Sequence, residues 1–218
     1  LAGVLERCPD HWGIALDLSK HAARLAAKAH PRLAASVVCD VWHGLPLRDG
    51  CADLILDVFA PRNAAEFRRV LQPHGRLLVV SPTRLHLHEL VEALDLLTVD
   101  ELKEERLQAT LGESFTNVAS ALYEERLALT ADEAATLASM GPSAHHLQPL
   151  EVRNRLDRYL DTLATSDSAV SGEAVSAQIA TAQTTLGEAP DAPGAPRLTV
   201  TVSVRLAEYQ VRVDRARP

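Results

Sequence analysis

Cysteine is scarce in this chain, and the three present, Cys8, Cys39 and Cys51, make neither an even set nor a CxxC spacing. That excludes a disulfide framework and gives no support to a metal site, so no metal ligands are expected. Two of the three sit in or beside apolar runs and read as core residues. Apolar runs all fall short of the roughly 18 residues that a membrane-spanning helix needs, so no membrane partner is expected. Leu1 to Asp10 lacks the basic start and cleavage signature of a secretory signal, which gives a cytoplasmic reading. An initiator Met is missing too, from which the sequence is expected to begin inside a longer gene product. Basic charge is in deficit: 22 Lys and Arg stand against 29 Asp and Glu, for a net charge of -7. A surface that grips nucleic acid all over is thereby excluded, because phosphate neutralisation needs clustered Lys and Arg. Local clusters remain at Arg62, Arg68, Arg69 and Arg76 and at Arg205, Arg212, Arg215 and Arg217; solvated helix and tail charges are the simpler reading of both. Twelve Pro and ten Gly are too few for a collagen-like or globally disordered chain.

What is there is an alternation of elements. At 218 residues and 47% hydrophobic content the chain supports one well-buried core and one main domain. Leu1 to Arg7 reads as a helix end, and Gly13 to Leu18 as a short buried strand stopping at an acid. Ser19 fits a helix N-cap, and the helix from Lys20 to His30 places Ala22, Leu25, Ala26 and Ala29 on one face before Pro31 ends it. Strands follow at Val37 to Cys39, Leu54 to Leu56 and Arg76 to Val80, with Asn63 to Leu71 helical between the last two. Strands alternating with helices imply an α/β fold with a parallel, Rossmann-like sheet and right-handed crossovers. Helices are then expected at His86 to Leu94, Val99 to Leu111, Asp132 to Met140 and Leu150 to Leu163, and a strand near Arg126 to Leu129. Residues 1–165 make up the core in this reading. Residues 166–197, rich in Ala, Ser and Pro, form a linker or weak helix. Alternation at Leu198, Val200, Val202 and Val204 marks residues 198–210 as a final edge or hairpin strand of the same sheet, before a basic tail at 211–218.

In an open parallel sheet, ligands bind at the carboxyl ends of strands near the reversal of strand order. Asp17 and Asp40 both occupy strand ends, about one βαβ step apart. A carboxylate in the first position suits a ribose diol, and one in the second suits an adenine exocyclic amine. Each acid alone also reads as a cap or turn residue. The glycine-rich loop that ordinarily precedes such an acid is absent, since the sole glycine near the start is Gly3. Either the first strand and its loop lie upstream, or the chain binds no nucleotide.

Asp17-Leu18-Ser19-Lys20, Leu45-Pro46-Leu47-Arg48-Asp49, Phe59-Ala60-Pro61, Ala65 to Gly75, Arg84 to Leu90 and Met140-Gly141-Pro142-Ser143-Ala144 together resemble the 23S ribosomal RNA guanine-N1 methyltransferases. The likeness is to the actinobacterial branch associated with tylosin-type macrolide resistance, over roughly residues 1 to 150 and the final strand. It implies a class I S-adenosylmethionine-dependent methyltransferase fold lacking the first strand and glycine-rich loop, with S-adenosylmethionine as cofactor and a 23S rRNA hairpin as partner. It also implies that Asp17, with Leu18 beside it, holds the ribose, that Asp40 and Val41 line the adenine, and that His86 contacts the cofactor. Asp57 to Pro61, with Phe59 as an aromatic wall, would border the methyl group and target base. Family members carry an N-terminal zinc module whose Cys and His spacing this chain does not show. A homodimer stays open.

Methylation at guanine N1 requires loss of the N1 proton with the nucleophile in line behind the sulfonium methyl. Asp57, at the end of its strand, is the candidate proton acceptor; its rival role is a structural acid near the Asn63 helix. Two other functions remain open at this stage: a small-molecule methyltransferase sharing the cofactor residues, and a catalytically inactive interaction module.

Overall fold

The computed structural model describes residues 1–95, 110–140, 149–169 and 197–212. They fall into two compact units, one of Leu1–Pro82, Asp100–Tyr123 and Val204–Pro218, the other of Thr83–Val99 and Glu124–Ser203.

The first unit opens with a short helix, α1 (Ala2–Arg7), and a strand, β1 (Gly13–Asp17), that pairs in parallel with β2 (Leu33–Val38), Asp17 lying opposite Val38. The crossover helix α2 (Lys20–Ala26) is capped as expected, Ser19 Oγ accepting from the Ala22 N–H at 3.3 Å. It is shorter than the sequence suggests, and its inward face is shifted: Ala23 is buried and Leu25 is 61% exposed. The stripe therefore runs through Ala22, Ala23 and Ala26, a narrow alanine face that lies close on the small pair below it. The expectation of a buried first strand also fails, since Ile14 is 43% exposed and Gly13 alone is buried. The cause is topological, because β1 has a hydrogen-bonded neighbour on one side only.

A second parallel pair follows. β3 (Ala52–Val58) leads through α3 (Ala64–Val70) into β4 (Leu71–Pro82), and the two strands align from Leu54 opposite Arg76 to Val58 opposite Val80. Asn63 caps α3, its side chain accepting from the Glu66 N–H at 3.2 Å. β4 pairs antiparallel with β6 (Leu198–Val211), and the order β3-β4-β6-β5 is completed by β5 (Phe115–Leu129). β6 is thus interior rather than an edge strand, and β5 is the edge. β5 is far longer than the expected Arg126 to Leu129, because an edge exposed on both faces carries no alternating signal to read. Phe67, Val70, Leu77, Phe115 and Tyr209 form the middle of the core here, each at most 6% exposed. Burial of each such large side chain stabilises the fold by about 1.5–3 kcal/mol.

Between Ala52 opposite Leu71 and Leu54 opposite Arg76, β4 carries a bulge, so that Gln72-Pro73-His74-Gly75 loops away from its partner. Gly75 passes so near β3 that a Cβ there would sit 3.1 Å from the Ala52 carbonyl oxygen and 2.9 Å from Leu71 Cδ2. Gly75→Ala is therefore expected to cost about 1–3 kcal/mol by overpacking. A urea midpoint unchanged from wild type would show that the bulge shifts freely.

In the second unit, α4 (His88–Leu94), α5 (Ala131–Ser139) and α6 (Pro149–Ala169) bury Leu90, Leu94, Ala134, Leu156 and Leu160 with Leu198 and Val200. Thr130 and Glu133 form a reciprocal capping box at the start of α5. The expected helix at Val99 to Leu111 lies mostly outside the described residues, as do Gly141-Pro142 and most of the expected linker, whose first residues 166–169 extend α6.

Candidate functional site

The carboxyl ends of β1 and β2 come together. The Cys39 N–H donates to the Asp17 backbone oxygen at 3.1 Å, continuing the parallel ladder by one step. Cys39 feels both acids: burial pushes its thiol up, and the negative charges of Asp40 and Asp17 add to the effect. Two carboxylates therefore crown adjacent strands. Asp17 Oδ1 accepts from the Ser19 N–H at 2.7 Å, which fixes the carboxylate at the strand end, and its Oδ2 takes no hydrogen bond from the described residues. Asp40 caps a single 3-10 turn, Val41–His43, through Oδ1 to the Trp42 N–H at 3.0 Å, with Oδ2 on His43 Nδ1 at 3.0 Å. The Trp42 hydrogen bond, followed by that of His43, holds the Asp40 carboxyl below the usual carboxylate range. The capping and ligand-binding roles of these acids coexist, since each carboxylate oxygen has two lone pairs and a cap uses one. Leu18, 70% exposed, is an apolar surface beside Asp17.

The end of β3 is bound to the end of β2. Asn63 Nδ2 donates to the Val41 carbonyl at 2.9 Å, while Asn63 Oδ1 caps α3. Phe59 directly follows β3; its φ of 53° is in the left-handed region and the residue is 54% exposed. A bulky residue there is strained by about 1–3 kcal/mol, a conformation usually kept where a turn must aim a side chain. Its N–H still reaches the Val80 carbonyl at 3.0 Å, so the strain sits where β3 leaves the sheet. Asp57 is in a setting that sequence reasoning did not anticipate. It is 3% exposed, and Arg62 Nε, equally buried, donates to its Oδ1 at 3.4 Å. The α3 cap belongs to Asn63 and not to Asp57.

Glu66 and Arg69 also escaped notice as a working pair, although their three-residue spacing on α3 was a readable signal. Arg69 donates to Glu66 at 2.9 and 2.7 Å, to the Leu45 and Leu47 carbonyls at 3.0 and 2.8 Å, and to Asp49 at 2.7 Å. Glu66 Oε2 in turn accepts from the Leu45 N–H at 2.6 Å. The Arg69 guanidinium, with that amide, holds the Glu66 carboxyl down at about 2. This clamp fixes the Leu45-Pro46-Leu47 loop against α3, which in turn sets Asn63 and the turn at Val41.

His86 belongs to the second unit. Its Nδ1 accepts from the Ser203 N–H at 3.3 Å, and burial lowers its pKa. Around it the Ser203 hydroxyl bonds Glu124 at 2.8 Å and Thr83 at 2.6 Å, a buried polar network that holds the segment after β4.

The overall arrangement has solved counterparts. A crystal structure from Bacillus halodurans C-125, provisionally described as a methyltransferase, superposes with a TM-score of 0.50 at 13% identity, covering 90% of this chain and 81% of that one. The fold is that of the class I S-adenosylmethionine-dependent methyltransferases. No protein-family model matches the chain. Sequence likeness is much stronger to two actinobacterial proteins. One, from Micromonospora griseorubida and named provisionally as a 23S rRNA (guanine-N1)-methyltransferase, is 49% identical over 156 residues, 72% of this chain and 52% of that protein. The other, the 23S rRNA (guanine(748)-N(1))-methyltransferase of Streptomyces fradiae, is 50% identical over 156 residues, 72% of this chain and 55% of that protein. Over the matched stretch this chain is similar to proteins named as 23S rRNA (guanine-N1)-methyltransferases. It spans about half the length of the curated relatives it matches.

Within that class the described residues hold two parallel pairs, β1-β2 and β3-β4, with no hydrogen-bonded ladder between them, though Leu16 and Cys39 pack on the core that β3 and β4 help to form.

Proposed function

We propose that the chain takes part in S-adenosylmethionine-dependent methyl transfer to N1 of a guanine in a 23S rRNA hairpin, in the cytoplasm and in a resistance-type role. The single observation that carries this reading is the pair of capped carboxylates, Asp17 and Asp40, on adjacent parallel strand ends. The donor set fits the adenosine half of the cofactor. Asp17 offers Oδ2 to a ribose diol, Leu18 and Val41 offer apolar contact, and Asp40 has lone pairs left for an exocyclic amine. When bound, the cofactor supplies an electrophilic sulfonium methyl, so the chain's own work is to bind, orient and exclude water.

Phe59 suits an aromatic wall against a splayed base, since N1 lies on the edge that a duplex hides. Asp57, the proton acceptor suggested by sequence, enters this reading in another way. Buried against the Arg62 guanidinium two residues before Phe59, Asp57 acts as a positioning residue for that turn. His86 in this reading holds the segment after β4 through its Ser203 bond, beside the cofactor contact that the family resemblance implies for it.

Asp17→Ala is expected to weaken S-adenosylmethionine binding by about 1–3 kcal/mol, roughly tenfold or more, as ribose hydroxyls lose a charged acceptor. Calorimetric titration of wild type and variant checks it; equal affinities remove Asp17 from the site. Wild-type binding of the cofactor without methylation of an rRNA hairpin would favour a small-molecule substrate, and a flat wild-type titration would favour an interaction module.

A further inference from the structure

An acidic chain places two arginines in one cleft that contains no acid. Along the outer part of the sheet, β5 and β6 border a cleft of about 310 Å³. Arg205, Arg212, Thr116, Asn117 and Ser120 give it a polar lining over Tyr209, and none of its lining residues is a carboxylate. Elsewhere the guanidinium groups of Arg62, Arg69, Arg76, Arg153 and Arg155 are all held by Asp or Glu. Among the described residues Arg205 and Arg212 have no such partner, and both are exposed. Asn117 is turned to donate: its Oδ1 accepts from the Ser120 hydroxyl at 3.3 Å, which leaves the amide N–H groups for a ligand. Acids do lie nearby, but Glu208 projects to the other side of β6 and pairs with Arg76.

Ligand size follows from the strand. Arg205 and Arg212 are seven residues apart on β6 and its end, about 24 Å at the rise of an antiparallel strand. That backbone spacing suits a chain of phosphates better than a single one. We propose that this cleft is a binding track for the phosphodiester backbone of single-stranded or loop RNA, with Arg205 and Arg212 each neutralising one phosphate and Asn117 donating between them. The inference rests on the RNA-methylation reading, and adds to it the surface that positions the substrate without reading its bases.

The test uses the full 218-residue chain and a fluorescein-labelled RNA hairpin with a guanine in its loop, titrated by anisotropy from 50 to 200 mM KCl. For Arg205→Ala/Arg212→Ala, affinity at 100 mM salt should drop about tenfold, and the slope of log affinity against log salt should fall by about 1.4, at roughly 0.7 per single-strand phosphate. Arg205→Lys/Arg212→Lys keeps both charges and should keep the slope. Cofactor affinity by calorimetry and the melting temperature should stay at wild-type values in both, since the two side chains are exposed. Hairpin binding by the wild type with the same slope and affinity in the alanine variant overturns the cleft and leaves the RNA reading standing. Absence of hairpin binding by the wild type overturns both.

Discussion

Arg62→Ala is expected to destabilise the protein by about 3–5 kcal/mol, a large share of the 5–15 kcal/mol available to a typical domain. The reason is what the substitution leaves behind. Asp57 and Arg62 are each 3% exposed, and removing the guanidinium takes a charge partner from a buried carboxylate. Replacing both partners should be far milder, because Asp57→Leu/Arg62→Met removes two desolvated charges together and keeps their volume. Urea denaturation of the wild type, the single variant and the double variant checks this. A single variant within about 1 kcal/mol of wild type would show that Asp57 finds water or another partner, and the positioning role assigned to the pair would fall with it. Phe59 lies inside the loop that the pair closes, so the single variant should also lose cofactor affinity beyond its loss of stability.

Glu66→Gln is the second large effect, and it has a pH signature. The Glu66 side chain is 19% exposed and its carboxyl is held down to about 2 by Arg69 and the Leu45 N–H. A carboxylate with a depressed pKa in the folded state stabilises the protein fully above its unfolded value, about 4.3, and loses that contribution as pH falls through the folded value. The glutamine variant keeps a neutral acceptor for Leu45 and loses the charge for Arg69, at about 2 kcal/mol near neutrality, within the range for hydrogen bonds to charged groups. The gap between wild type and variant should therefore be constant from pH 7 to about 5.5 and close between about pH 4.5 and 2. Urea midpoints at pH 7, 5, 3.5 and 2.5 measure it. A gap that does not change with pH would mean that the Leu45 loop is held by shape and not by the charge.

Much of the candidate site was readable in the sequence. Ser19 and Asn63 announced their helices by type and position, and the acids Asp17 and Asp40 marked strand ends because such residues end strands and start turns. Leu25 was misjudged since an alanine-rich helix of seven residues gives several faces of nearly equal apolarity, and the strand pair beneath chose the flattest. Asp57 was legible as a strand-end acid, yet its burial depends on Arg62 folding back over it, which no periodicity announces.

Local chemistry in the sequence sufficed for most of the elements, the Ser19 cap, the α/β class and the two strand-end acids, because these signals act over a few residues of backbone. Tertiary structure alone decided the rest. It set β6 between β4 and β5 through pairings such as Arg76 with Gln210, put the buried hydroxyl of Ser203 against Thr83 across 120 residues, and left the two parallel pairs without a ladder between them. It also brought Arg205 and Arg212 to a cleft free of acids. Strand order and burial are settled by which distant surfaces exclude water together, and that competition among long-range partners leaves no mark on any short stretch of sequence.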